Sequence, residues 1–266
     1  VKTVVYQSFR TTGVPGWITT CMDTVRSWAR SRGFDYRFFD DSFLDLAPPW
    51  FRERCAGHTC SIADLARLVM ARKLLEAGYE RVVWMDADML VFAPEALHVD
   101  APGGYAFCFE LWPWLDAEGR LQCEHKVNNS ALVFTRGHHQ LGFLIEACLG
   151  IASSKPQLDR LEFGPNLLTG LAQLMPLRVL NNIGMFSPLL MRDIGSGEER
   201  WTAAYAAQLP VPLAAANLCN SLVGQTVQDH AAAEADYEAV VATCLRTRGD
   251  VVNRHVPRNP KEGTRA

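Results

Sequence analysis

The sequence has no apolar run approaching the ~20 residues that a membrane span needs. It has no basic excess either. Its 26 Lys and Arg stand against 29 Asp and Glu, for a formal net charge of −3, so no positive field marks it for nucleic acid or an anionic membrane. No CxxC pair occurs, and no Cys/His cluster has zinc spacing. Internal repeats and low-complexity tracts are absent. The opening residues, VKTVVYQSF, lack the apolar core and small-residue cleavage site of a signal peptide and read as a strand.

What remains is ordinary globular composition. The 266 residues are 48% hydrophobic and 21% charged, which suits one large α/β domain or a domain with a small appendage. Eight cysteines are scattered through the chain, several in apolar settings such as YAFCFEL and EACLG. There a free thiol packs as a small hydrophobe. That usage points to a reducing, cytoplasmic compartment, although the even count leaves disulfides open.

The stretch around which the chain is organised is RVVWMDADMLVF, residues 81–92. Val82, Val83, Trp84 and Met85 form a short apolar run of the kind found in strands buried on both faces. Sheets of such strands are covered by helices and bind ligands beyond the carboxyl ends of the strands. Asp86 and Asp88 stand at that end. On an extended segment residues i and i+2 point the same way. Two carboxylates held together in a low-dielectric site repel unless a cation sits between them. Mg²⁺ or Mn²⁺, which take oxygen ligands, fit best. The competing reading is a turn or helix cap, where Asp is common.

The rest of the chain alternates strand and helix. A first strand over 2–9 ends in Tyr6, Gln7 and Ser8. A helix runs from about Trp17 to Arg32, with Ile18, Cys21, Met22, Val25 and Trp28 on one face and Gly33 as its stop. DYRFFDD forms a second strand ending in Asp40 and Asp41. Strand, helix, strand begins a parallel sheet. Ser61 is placed as the N-cap of a helix that stops at Gly78. YAFCFEL, 105–111, is a further strand. Residues 112–126 read as an irregular excursion whose tryptophans form either a binding wall or a packed surface hairpin. A strand at 127–136 opens with Asn128 and Asn129, and a helix follows at about 138–152. Gly164 and Pro165 open another helix. RVLNNIGMFSP, 178–188, is strand and loop. Beyond Met191 the pattern weakens until a helix at 231–245, and a basic, mobile tail is expected from Arg246 to 266.

In combination, Gln7 at a strand end, Asp64-x-x-Arg67 on a helix, Asp86-x-Asp88 after an apolar strand, Asn129-Ser130 and Gly164-Pro165 followed by Leu168-Thr169 resemble the DXD-containing glycosyltransferases of the GT-A fold. The likeness covers about residues 2–190. It is strongest to the retaining group with yeast-type initiating mannosyltransferases and clostridial glucosylating toxins, with glycogenin-type enzymes more distant. The resemblance implies a single Rossmann-like α/β domain with a mixed, mainly parallel sheet flanked by helices. Its nucleotide-binding part would span about 1–92 and its acceptor-binding part about 93–230. It further implies that Tyr6, Gln7 and Asp40 or Asp41 hold the nucleoside, and that Asp64 and Arg67 contact ribose and donor sugar. Asn129 would hydrogen-bond the sugar, with Gly164 and Pro165 lining the donor site. Read locally instead, Asp64 and Arg67 share a helix face as an ordinary surface ion pair, and Asn129 caps a strand.

Relatives complete the metal site with a His or a Ser-x-Trp on a C-terminal loop. The matching stretch here, Ala216 to Ser221, has neither, which leaves Asn217 or Asn220 as oxygen donors. The expected function is metal-dependent transfer of a sugar from a UDP- or GDP-sugar to a carbohydrate or small-molecule acceptor. Retention of configuration is implied by the resemblance alone. A divalent ion on Asp86 and Asp88 would offset charge on the departing diphosphate, with Arg67 assisting. Glu110 and Asp116 are the candidates for a nucleophile or base. Two alternatives stand beside this. One is a catalytically silent sugar-nucleotide-binding module of the same fold. The other is a haloacid-dehalogenase-type phosphatase, disfavoured by Leu90 where that family carries Thr or Val.

Overall fold

The computed structural model describes residues 1–257. The chain divides into two compact units that interleave in sequence. The first comprises Val1–Met89, His98–Glu110 and Lys126–Leu180; the second comprises Leu90–Leu97, Leu111–His125 and the chain from Asn181 onward. Each unit draws on three separate segments of the chain.

The protein is α/β. In the first unit, β1 (Thr3–Ser8) leads through α1 (Gly16–Ser31) to β2 (Asp35–Phe39), and α2 (Pro49–Arg54) and α3 (Thr59–Glu76) lead to β3 (Arg81–Met85). After β4 (Met89–Val91) come the long strands β5 (Tyr105–Leu115) and β6 (Leu121–Thr135). Next are α4 (His139–Ser154), α5 (Leu167–Leu174) and β7 (Val179–Leu180). The six-stranded sheet has the order β2-β1-β3-β6-β5-β7. β1 runs parallel to β2 and β3, β5 runs parallel to β7, and β6 is antiparallel to β3. The sheet is therefore mixed and mainly parallel, with helices against it.

The central strand is buried as its apolar run requires: Val82, Val83, Trp84 and Met85 are all at most 3% exposed. Alternate residues on one face, Val4, Tyr6, Val82 and Trp84, join Leu65, Leu68 and Leu74 of α3 and Leu141, Leu144 and Ile145 of α4 in one core. α1 ends as expected, with Gly33 at φ +69°. α3 does not begin at Ser61. It starts at Thr59, and the Ser61 hydroxyl donates to the carbonyl of Arg160 instead.

The second unit contains a three-stranded sheet in the order β4-β9-β8, with β8 (Ile183–Met185) parallel to β9 (Ala215–Asn217). It also holds α6 (Pro188–Ser196), α7 (Arg200–Ala206), the short strands β10 (Thr226–Val227) and β11 (His230–Ala231), α8 (Glu234–Thr247) and α9 (Asp250–Asn253).

Two expectations need correction. Residues 112–126 are not irregular: they lie mostly in β5 and β6, joined at a turn that Asp116 organises. The mobile tail does not begin at Arg246, because α9 follows directly and buries Val251 and Val252. The final part of that tail, 258–266, lies outside the described residues. None of the eight cysteines, all within the described residues, forms a disulfide. Among the described residues no helix is long and apolar enough to cross a membrane.

Candidate functional site

The first unit brings Asp64 and Arg67 on α3, Asp86 after β3, and Asn129 on β6 into one buried network. Asp64 and Arg67 lie one helical turn apart, with Arg67 Nη2 3.2 Å from Asp64 Oδ1. Arg67 Nη1 stands 3.0 Å from Asp86 Oδ1 and donates to the Asn129 carbonyl at 2.7 Å. The Asn129 amide closes the ring by donating to Asp64 Oδ1 at 2.8 Å. Asp64 and Arg67 are 5% and 6% exposed, so the surface ion-pair reading does not hold. The Asp86 side chain is 26% exposed and forms the solvent-facing edge of the network.

Burial dominates the electrostatics. It pushes Asp64 up to about 6, against the opposing pull of Arg67 and the Asn129 hydrogen bond. Burial likewise raises Asp86, opposed by Arg67 and Trp84. For Arg67 burial works against the charged form, but the carboxylates of Asp86 and Asp64 outweigh it and hold its pKa above the ordinary value.

The apolar strand does more than fill the core. Trp84 Nε1 donates to Asp86 Oδ1 at 2.7 Å, and the Arg67 guanidinium carbon lies 4.9 Å from the Trp84 ring centroid. Sequence reading took Trp84 as core alone. The available signal was its place near the end of the strand, two residues before Asp86. Tyr6 and Gln7 are fully buried, with their polar ends committed inside the protein. The Tyr6 hydroxyl donates to the Arg67 carbonyl at 2.7 Å, and Gln7 Nε2 donates to the Asp86 carbonyl at 2.9 Å. Tyr36, absent from the sequence reading, in turn donates to Gln7 Oε1 at 2.9 Å. The side chains of Tyr6 and Gln7 thus brace Asp86 and Arg67 from behind.

Asp86 and Asp88 do not lie on an extended segment. The Met89 N–H donates to the Asp86 carbonyl at 3.1 Å, which closes a tight turn over Asp86–Met89. The i, i+2 argument for a shared direction therefore fails, and the turn reading of these residues is correct as to backbone. Asp88 is 8% exposed. Among the described residues no three His, Cys, Asp or Glu side chains gather as a metal cage. A magnesium-type ion needs fewer protein ligands: it keeps several waters and takes one or two carboxylates plus phosphate oxygens. The donor set of Asp86 and Asp88 fits that requirement in number and hardness.

The remaining predicted residues divide. Asp40 caps the short helical turn Asp41–Leu46, accepting from the Ser42 amide at 3.0 Å and its hydroxyl at 2.5 Å. Gly164 packs against Asn129. A Cβ there would lie 2.7 Å from Asn129 Oδ1, so the close approach needs glycine. Pro165 follows it in the turn before α5. Glu110, 4% exposed, accepts from Asn128 Nδ2 at 2.7 Å. Asn128 Oδ1 also accepts from the Ser130 amide at 2.6 Å.

In the second unit, Asp116 accepts from the Glu118 and Arg120 amides and from the Arg120 and Gln122 side chains. It is a turn organiser there rather than a poised base. Asn217 is buried in β9 and accepts from the Cys219 amide at 2.8 Å. Asn220 opens a short helical turn, Asn220–Leu222.

No family model matches the sequence, and no curated protein matches it. Solved structures show a partial likeness to it, each of those that follow at a TM-score below 0.5. One is a glycosyltransferase involved in the glycosylation of the major capsid of PBCV-1, at 10% identity, covering 89% of this chain and 98% of that one, with a TM-score of 0.45. Another is mouse xyloside xylosyltransferase 1, at 10% identity over 83% of this chain and 98% of that one, with a TM-score of 0.43. A third is the 4-diphosphocytidyl-2C-methyl-D-erythritol synthase of Anaerococcus prevotii, at 10% identity over 67% and 87% of the two chains, with a TM-score of 0.32. Identities this low leave the chemistry to be argued from the residues themselves.

Proposed function

We propose that the protein is a glycosyltransferase of the GT-A type that moves a sugar from a UDP- or GDP-sugar to a carbohydrate or small-molecule acceptor, with retention of configuration. The observation that carries the reading is the ring of Asp64, Arg67, Asn129 and Asp86 beside the Asp86-x-Asp88 turn. Two separate elements, α3 and β6, commit buried polar groups to fix one carboxylate at the carboxyl end of a central strand, where α/β sheets bind ligands. An arrangement with no ligand to serve would bury this ion pair at a desolvation cost for little net stability.

In this reading Asp86 and Asp88 hold Mn²⁺ or Mg²⁺. When bound, the ion supplies Lewis-acid neutralisation of the diphosphate leaving group. Arg67 fixes the position of Asp86 and favours its ionised form against the effect of burial. Trp84 and Gln7 fix the same residue from its side chain and its carbonyl. Asn129, held by Asp64, packed on Gly164 and tied to Asp86 through Arg67, would be the sugar-facing group. Asp40 stands at the end of β2 as the nucleoside-side carboxylate. Glu110 remains the acid available to the acceptor step.

The test is release of free nucleoside diphosphate from a panel of UDP- and GDP-sugars, with Mn²⁺ and with excess EDTA. Release that requires the ion is expected. Equal release in EDTA removes the metal role. Binding of nucleotide sugar without release identifies a silent binding module instead.

A further inference from the structure

We propose that the second unit carries a saccharide-binding site of its own. A cavity of about 380 Å³ opens among α6, α7, β11 and the start of α8, with Arg192, Asp193, Glu198, Trp201, His230 and Asp236 on its walls. This lies within the ~300–1,000 Å³ range of small-molecule sites.

The decisive residue is Asp193. It is 3% exposed, and its Oδ2 accepts from both the Thr202 amide and the Thr202 hydroxyl at 2.7 Å. Its Oδ1 is buried with no hydrogen-bond partner. A carboxylate oxygen buried without a donor is costly and rare in native proteins. On the wall of a cavity, it calls for a donor from a ligand.

The rest of the wall identifies the ligand class. Asp193 and Glu198 offer acceptors, Arg192 offers only donors, and His230 can do either. Asp236 is partly committed, with Oδ2 accepting from the Ala233 amide at 2.7 Å. An ammonium ligand would donate to the carboxylates but would meet Arg192. A phosphate would suit Arg192 but would be repelled by the acids. Neutral hydroxyls both donate and accept, so a polyol satisfies the whole set. Trp201 adds an apolar ring wall, and the Arg200 guanidinium carbon, 4.1 Å from its ring centroid, holds it in place. Hydroxyls on the edge and an apolar C–H face together describe a pyranose ring. The inference does not depend on the transferase reading, because a glycoside can bind here whether or not nucleotide is turned over.

The experiment is ligand-observed NMR on the full chain, with the methyl glycosides of glucose, galactose, mannose and xylose as probes and spermidine and inorganic phosphate as comparators. At least one glycoside should bind saturably in the millimolar range. Trp201→Ala and Asp193→Asn should each weaken it by about tenfold or more, as for loss of one central buried contact. Nucleotide binding should not change. Asp193→Asn also alters the two hydrogen bonds from Thr202, so Glu198→Gln serves as a second polar variant that leaves those bonds intact. Binding of spermidine or phosphate in place of glycosides overturns the proposal. So does the absence of glycoside binding at any soluble concentration, or glycoside binding that Trp201→Ala and Glu198→Gln leave intact.

Discussion

Arg67 Nη1 meets Asp86 Oδ1 at 3.0 Å, and this buried contact joins helix α3 to the end of the central strand. The spacing Asp64-x-x-Arg67 suggested a pair on one helix face, but the stronger relationship reaches across 19 residues to a different element. Part of the cationic charge that Asp86 requires is therefore built into the chain. A metal ion bound at Asp86 would share the site with that guanidinium.

Arg67→Ala should lower stability by about 3–5 kcal/mol, because it leaves two carboxylates near a buried, uncompensated position. A surface pair would have cost within about 1 kcal/mol. Urea denaturation measures the difference. Arg67→Lys keeps the charge without the fork that serves Asp64, Asp86 and the Asn129 carbonyl at once. It should fold yet lose most nucleoside-diphosphate release. Full release by the lysine variant would show that the fork is not needed.

Asp88→Asn removes one charge and keeps the side-chain size. Turnover should fall by roughly 10²–10³-fold, equivalent to about 3–4 kcal/mol of lost transition-state stabilisation. Without metal the melting temperature should stay about level, since Asn keeps the side-chain size at the same turn position. Asn also serves well in a tight turn, so unchanged turnover would reduce Asp88 to a turn residue.

Gly164→Ala places a methyl group 2.7 Å from Asn129 Oδ1 and 3.0 Å from its Cγ. Asn129 must move off Asp64, at an overpacking cost of about 1–3 kcal/mol. Nucleotide-sugar affinity should fall together with stability in a thermal-shift titration. A variant with wild-type melting and affinity would contradict the close packing of these residues.

Asp64 offers a pH test. Its folded pKa of about 6 lies above the ordinary carboxyl value of 3.8. The native state therefore holds this proton to higher pH than the unfolded chain does. Its stabilising contribution is complete below about pH 4 and is lost as pH rises through about 6. Asp64→Asn does not titrate and still offers Asn129 an acceptor. Between about pH 4 and pH 7.5 the stability difference should move in favour of the variant by on the order of 3 kcal/mol. Denaturation curves at four pH values would show it, and a constant difference would exclude a raised Asp64.

Local pattern made much of the first unit legible. The apolar run at 82–85, the spaced face of α1 and the glycine stop at Gly33 all depend on neighbours within a few residues, and the structure keeps them. The long hairpin strands β5 and β6 were missed beyond Leu111 because Trp112, Asp116, Gly119 and Arg120 read as loop. α6 and α7 were missed because their short helices carry too few turns for a 3.6-residue period to stand out.

Residue order alone places Asp64 and Arg67 on a helix and brings Asp86 to the end of a buried strand. Those outcomes follow from periodicity and apolar runs, which are local properties of the chain. Only the tertiary structure decided which partner each polar group would take. Arg67 turned to Asp86 and the Asn129 carbonyl, Gln7 and Tyr6 turned inward as braces, and Asp193 came to line a cavity with one oxygen unmet. The reason is physical. Burial makes every unpaired polar atom costly, so pairing is settled by which donors and acceptors packing brings within about 3 Å, and that distance is not written in residue spacing.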